Sequence, residues 1–423
     1  MKEDFLHYVW KYKAFQLEGL KTVKGAAVRV VNFGQHNLNS GPDFINAQVV
    51  IDEQLWAGNV EIHLKSSDWF VHHHEKDQAY DSVILHVVWE DDVEVFNSNN
   101  YPIPALELQS YVQSNVLLNY QKLMKSKRWI NCESHFGDVE AFILDHWIER
   151  LFLERLEKKS TDILQLLYKT NNDWEAVFFM MLTKNFGLKV NGDAFFSLAQ
   201  SIAISILRKT AQDPENLEAL LYGQAHLLEE DVEDVYVVNL KKRYNYLKQK
   251  YNLQNGHVLK PQFFRLRPAN FPTIRLSQLA QLYVKESRLF SKIIALNDVE
   301  DFYELFAVSA SSFWTSHYTF SKTSKPREKM LTKSVVDLFL INTIIPFKFC
   351  YAKAKGKSIE ADLFRMVKNI DLEQNSVVKK FKQLRSLKNE ALNSQALLQL
   401  KERYCDRNKC LSCAIGNHLI AKK

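Results

Sequence analysis

The chain is poor in cysteine and in long apolar runs. Its 423 residues include five cysteines: Cys405, Cys410 and Cys413 lie close together, with Cys132 and Cys350 alone. An odd, clustered set is not the framework of a small secreted disulfide fold and fits a reducing compartment. The opening Met-Lys-Glu-Asp-Phe-Leu-His-Tyr lacks the apolar stretch of a secretion signal, and no later run has the uninterrupted apolar length of a membrane span. Internal repeats and low-complexity tracts are missing too. Together these absences point to a cytoplasmic protein with no membrane partner.

What is present is ordinary globular composition, with 46% hydrophobic and 25% charged residues, in a chain long enough for two or three domains. The net charge of +6 hides an asymmetry: from Ser321 to Lys423 there are 22 Lys/Arg against 9 Asp/Glu, so the remainder is net acidic. The basic tail is therefore the natural partner of a polyanion. Within it, Lys379-Lys380-Phe381-Lys382-Gln383-Leu384-Arg385-Ser386-Leu387-Lys388 has the pattern of a basic amphipathic helix whose cations could track a phosphate backbone.

Hydrophobic periodicity divides the chain. Leu6 to Phe15 reads as a helix, and residues 20–108 alternate as strands at Val28–Val31, Asn46–Ile51, Gly58–Leu64 and Ser82–Trp89. The last is nearly continuous in apolar residues, as in a central strand covered on both faces. Ser67 to Asp81, polar and His-rich, reads as a helix or an ordered loop. From Val112 onward the period is helical, and Trp147, Trp174, Phe178 and Phe179 fall on apolar faces that belong to a core. Pro261 to Pro272 is a candidate linker, with Arg265, Arg267 and Arg275 as further cations for a polyanion. The expected organisation is an α/β domain over 1–110, a helical domain over 111–320 and a basic helical C-terminal region over 321–423 with a cysteine cluster.

Chemistry concentrates in two places. Ser40-Gly41-Pro42-Asp43-Phe44 is a turn bearing a carboxylate, followed at hairpin distance by a strand whose period of two puts Glu61, His63 and Lys65 on one face. Pairing the apolar faces of this hairpin places Asp43 on the opposite side from Glu61, unless a bulge after Pro42 brings it round. Six of the 13 histidines lie between His36 and His86, where metals or protons are handled. His86, inside the apolar strand, reads as a core or supporting histidine; His72 and His74 could bind metal if their segment is extended. At the other end, Cys405, Cys410 and Cys413 with His418 would complete a Zn²⁺ site, or with a remote Cys132 or Cys350 an iron–sulfur cluster.

The order helix, strand, hairpin with Pro42-Asp43 and Glu61-Ile62-His63, helical segment and buried strand resembles the core of the PD-(D/E)XK nuclease superfamily. That resemblance implies a restriction-endonuclease-like mixed sheet with flanking helices, followed by a large helical region. It also implies Asp43 and Glu61 as ligands of Mg²⁺ or Mn²⁺ and a lysine near the attacking water. His63 stands in the lysine position, and Lys65 is one same-face step further on. The stretches Asn37–Glu90, Arg267–Pro272 and Cys405–Asn417 also resemble a bacterial family of unknown function that covers nearly the full chain.

The expected function is a metal-dependent nucleic-acid-processing protein, a phosphodiester-cleaving nuclease if enzymatic, with Asp43, Glu61, His63 and Lys65 at its centre. The alternative is a non-catalytic nucleic-acid-binding or scaffold protein with a degenerate nuclease fold. A third reading is a hydrolase of small substrates holding Zn²⁺ on His72 and His74.

Overall fold

The computed structural model describes residues 1–422, which divide into two compact units. Of these, the first comprises 1–148, 379–386 and 397–422, and the second 149–378 and 387–396.

The first unit opens with α1 (Glu3–Lys11), which buries Phe5, Leu6, Val9 and Trp10 and leaves Glu3 and His7 on another side. A seven-stranded mixed sheet follows: β1 (Leu20–Lys21), β2 (Ala27–Asn32), β3 (Gln35–His36), β4 (Phe44–Ile51), β5 (Gln54–Lys65), β6 (Val83–Glu90) and β7 (Ala105–Glu107). The strand order is β1-β2-β4-β5-β6-β7, with β3 also paired to β4. β2, β4 and β5 run antiparallel, whereas β5, β6 and β7 run parallel. The parallel β5–β6 pair needs a crossover, supplied by the short helix α2 (Asp68–Val71) and two 3₁₀ turns, His74–Lys76 and Gln78–Tyr80. The strand period sorts β5 between two faces: Val60 and Ile62 pack in the main core with Phe5, Phe44, Leu85 and Val87, while Glu61 and His63 take the other side. β6 is buried along most of its length, as its apolar run predicts.

The C-terminal end does not stand alone. Ile420, on the helix Ala414–Ala421, joins the same core as the sheet, and α3 (Ser114–Lys125) fastens that helix through Asn119 Nδ2, which donates to the Ile420 carbonyl at 3.3 Å. The grouping therefore differs from a division at 110 and 320, because burial of an apolar helix face, not sequence distance, decides what folds together.

The second unit is helical. The helix Trp174–Phe186 is capped by Asp173, whose carboxylate accepts from Ala176 N at 2.9 Å, and it buries Phe178, Phe179 and Phe186. Trp174 is half-buried. Pro261 to Pro272 lies inside this unit, and Arg275 is buried there, donating to Gln278 and Asn270. Arg275 is thus a structural cation and not a surface contact for a polyanion; Arg265 and Arg267 are exposed. The run Lys333–Ala354 is long and apolar enough by composition to cross a bilayer, which the broken apolar pattern did not suggest, but 78% of its most apolar window is buried.

Candidate metal centre

The turn before β4 is built to present Asp43. Gly41 has φ +98°, a conformation open to glycine, and the Asn37 side chain braces the turn by donating to the Ser40 and Pro42 carbonyls. β4 then starts irregularly: Phe44 pairs with Val60, but Ala47 pairs with Gly58, and Asn46 takes φ +58°. This β-bulge supplies the one extra residue needed to bring Asp43 towards Glu61. The two residues lock by crossed hydrogen bonds: Asp43 N donates to Glu61 Oε2 at 3.0 Å, and Ile62 N donates to Asp43 Oδ2 at 3.0 Å.

Histidines complete the site. On β5, His63 lies beside Glu61, its Nε2 at 3.7 Å from Glu61 Oε1, and the His74 Nε2 approaches the same oxygen at 3.4 Å. His63 Nε2 also lies 3.0 Å from His72 Nδ1, while its Nδ1 meets His86 Nε2 at 2.9 Å. His63, His72 and His74 bring ligand atoms within 4.8 Å of one another. Trp69 and Tyr80 wall the cluster, with the Tyr80 ring stacked 3.7 Å from that of His74. Burial, reinforced by neighbouring imidazoles, pushes His63 down to about 2 and His86 to about 3, so both stay neutral and able to ligate. Burial raises Glu61, with the Asp43 charge adding to it and His74 opposing.

Two groups from α1 enter without a motif to announce them. His7 Nε2 lies 3.1 Å from Asp43 Oδ2 and 3.8 Å from Glu3 Oε1. Burial would lower the His7 imidazole, but the hydrogen bond and charge of Asp43, with Glu3, raise it overall. Glu3 and His7 are one helical turn apart. That i,i+4 pair beside a buried apolar stripe is the only sequence signal that could have found them.

Lys65 goes elsewhere: half-exposed, its ammonium faces Glu90 at 3.4 Å and Asp92 at 3.9 Å. His73 is exposed in a left-handed conformation. His86 supports His63 from behind, with its Nδ1 buried.

Beside the carboxylates runs a groove of about 530 Å³, lined by His7, Lys2, Lys11, Arg407 and Lys409 among others. On the basic helix Ser376–Leu384, Phe381 is buried and Lys379, Lys380 and Lys382 are exposed, as its amphipathic pattern predicts.

At the C-terminal end, Cys132, Cys405, Cys410 and Cys413 line one small cavity. His418 is not among its lining residues, and Cys350 is buried in the second unit with its thiol towards the Ser160 carbonyl. Burial pushes the Cys132 thiol up to about 12 and that of Cys413 to about 11.

Residues 3–376 match the model of a family described as "Protein of unknown function (DUF2851)". No curated protein and no solved structure matches the chain.

Proposed function

Starting from a chain that belongs to the DUF2851 family of unknown function, we propose a metal-dependent nucleic-acid-processing protein that hydrolyses phosphodiester bonds. The observation that carries this reading is the double role of His7, which holds Asp43 in the carboxylate site and lines the cationic groove next to it. A polyanion drawn along Lys2, Lys11, Arg407 and Lys409 would meet Asp43 and Glu61. The order of α1, antiparallel β2, β4 and β5, a helical crossover and parallel β6, with Asp43 and Glu61 converging, also supports a PD-(D/E)XK-like fold for the first unit.

The donor set favours a first-row transition ion. Glu61 Oε1 with the His63, His72 and His74 imidazoles is a mixed N/O site, suited to Mn²⁺ or Zn²⁺ better than to Mg²⁺, which takes oxygen ligands. Such an ion would activate water and offset charge on the phosphate. Asp43 stands alongside as a further ligand or as the base that orients the water, aligned by His7 and by the Ile62 N–H. The His63–His86 contact fixes the ring behind the ligand.

Labelled single- and double-stranded DNA and RNA incubated with Mg²⁺, Mn²⁺ or Zn²⁺ test the proposal. We expect cleavage of at least one substrate, strongest with a transition ion and lost in Glu61→Gln. Cleavage with none of them, or cleavage indifferent to Glu61→Gln, would overturn it.

A second reading has its own support. Lys65 faces Glu90 and Asp92, so it does not fill the lysine place that the resemblance calls for. A non-catalytic nucleic-acid-binding protein would show salt-dependent binding unchanged by Asp43→Ala or Glu61→Ala, and no cleavage.

A further inference from the structure

We propose that the groove beside Asp43 takes single-stranded nucleic acid, its bases seated on Tyr12 and Leu38 while the neighbouring cations hold the phosphates; this rests on the reading of that groove as a nucleic-acid site. The lining mixes two chemistries. Lys2, Lys11, Arg407 and Lys409 supply positive charge, and among the described residues Asp4 is the only acid that lines it. Beside them stand the apolar side chains of Tyr12, Leu38 and Leu411. A surface that met phosphates alone would have no use for these. Cations that follow a backbone, interleaved with flat or apolar faces that receive bases, are the combination that binds single strands.

Leu38 lies in the turn that presents Asp43 and is 86% exposed. The turn does not need a leucine to hold its shape, because Asn37 braces it: its Nδ2 donates to the Ser40 and Pro42 carbonyls, and its Oδ1 accepts from Asn39 N at 2.9 Å. The side chain is therefore free to serve as an apolar contact beside the carboxylates. Tyr12 follows the last turn of α1 and is 47% exposed, its ring 5.1 Å from that of Tyr8 and its centroid 5.7 Å from the Lys11 ammonium. One ring and one cation thus stand together, as base and phosphate do along a strand. In an intact duplex the faces of each base are covered by its neighbours in the stack, so Tyr12 and Leu38 would find no partner there. An unpaired strand can splay its bases onto both.

The depth of the carboxylate site favours the same substrate. Glu61 is 5% exposed and the Asp43 side chain 20%, so a phosphate must enter a recess to reach them. Duplex DNA is stiff, with a persistence length of about 50 nm, and pressing one of its phosphates inward means deforming it. A single strand bends at each nucleotide and meets no such cost.

The test is fluorescence anisotropy of labelled single-stranded DNA and RNA, and of the matching duplexes, titrated with the full chain at one salt concentration and without added metal ion. We expect at least one single strand to bind about 10-fold or more tightly than its duplex, and Tyr12→Ala/Leu38→Ser to weaken that binding by about 10-fold, the order of one lost stacked base. Duplex binding should be unchanged in the variant. Leu38→Ser alone, at the more exposed position, should show part of the loss even where the double variant does not fold. Duplexes bound as tightly as single strands, or single-strand binding indifferent to these substitutions, would overturn the single-strand assignment and leave the cationic groove standing. Binding of no nucleic acid of either kind would overturn the reading of the groove and this assignment with it.

Discussion

At the residue scale the account depends on how Asp43 and Glu61 are held. Each is tied to the other's strand by a backbone N–H, and His7 adds a third hold on Asp43. His7 is thus a positioning residue. His7→Ala should weaken Mn²⁺ affinity and any cleavage about 10- to 100-fold, and His7→Gln, which retains an N–H donor, should recover part of it; equal losses in both variants would leave His7 no positioning role. A different residue sets a pH dependence. Lys159 is half-buried, its ammonium donating to the Ile341 carbonyl and to Asn342, and desolvation lowers it to about 7. The unfolded chain therefore binds a proton that the folded chain sheds between about pH 7 and 10.5, so stability rises with pH across that window, by up to about 1.4 kcal/mol per unit from this group. Denaturation of Lys159→Met measured against wild type should show that slope flattened; parallel curves would contradict it.

At the scale of elements, much of the sheet was legible. Period-two alternation placed strands close to β2, β4, β5 and β6, and it put Glu61 and His63 on one face. The position of Asp43 was legible only as a condition, because a bulge is set by local pairing and by one left-handed residue, Asn46, not by the hydrophobic pattern. His7 and Glu3 were hidden because helical spacing alone does not say which strand a helix covers. The extended spacing imagined for His72 and His74 was not needed, since α2 and the following 3₁₀ turn bring both imidazoles to His63. The cysteine end was half legible: spacing grouped Cys405, Cys410 and Cys413, whereas the fourth cysteine lining their cavity, Cys132, is remote in sequence, and His418 is not among the lining residues. Gly416→Ala tests this element directly, with an expected cost of about 1–3 kcal/mol from overpacking against the Cys410 carbonyl; an unchanged melting temperature would refute the close approach.

For the first unit as a whole, charge and topology converge on one groove. The C-terminal segment, remote in sequence, supplies Arg407 and Lys409 to a surface whose other cations, Lys2 and Lys11, flank the start of the chain. Replacing Arg407 and Lys409 by Gln should weaken nucleic-acid binding uniformly across sequences and flatten the dependence of log K on log salt by roughly 1 for each phosphate no longer neutralised. An unchanged salt slope would move the polyanion surface elsewhere, to the exposed lysines of the helix Ser376–Leu384. The central claim, however, is that the carboxylate and imidazoles around Glu61 bind a catalytic ion. Calorimetric titration of Mn²⁺, which favours N and O donors over thiolates, into wild type and into a Glu61→Gln/His74→Ala variant tests it most directly: the account predicts one saturable site in wild type and none in the variant, and identical isotherms would contradict it.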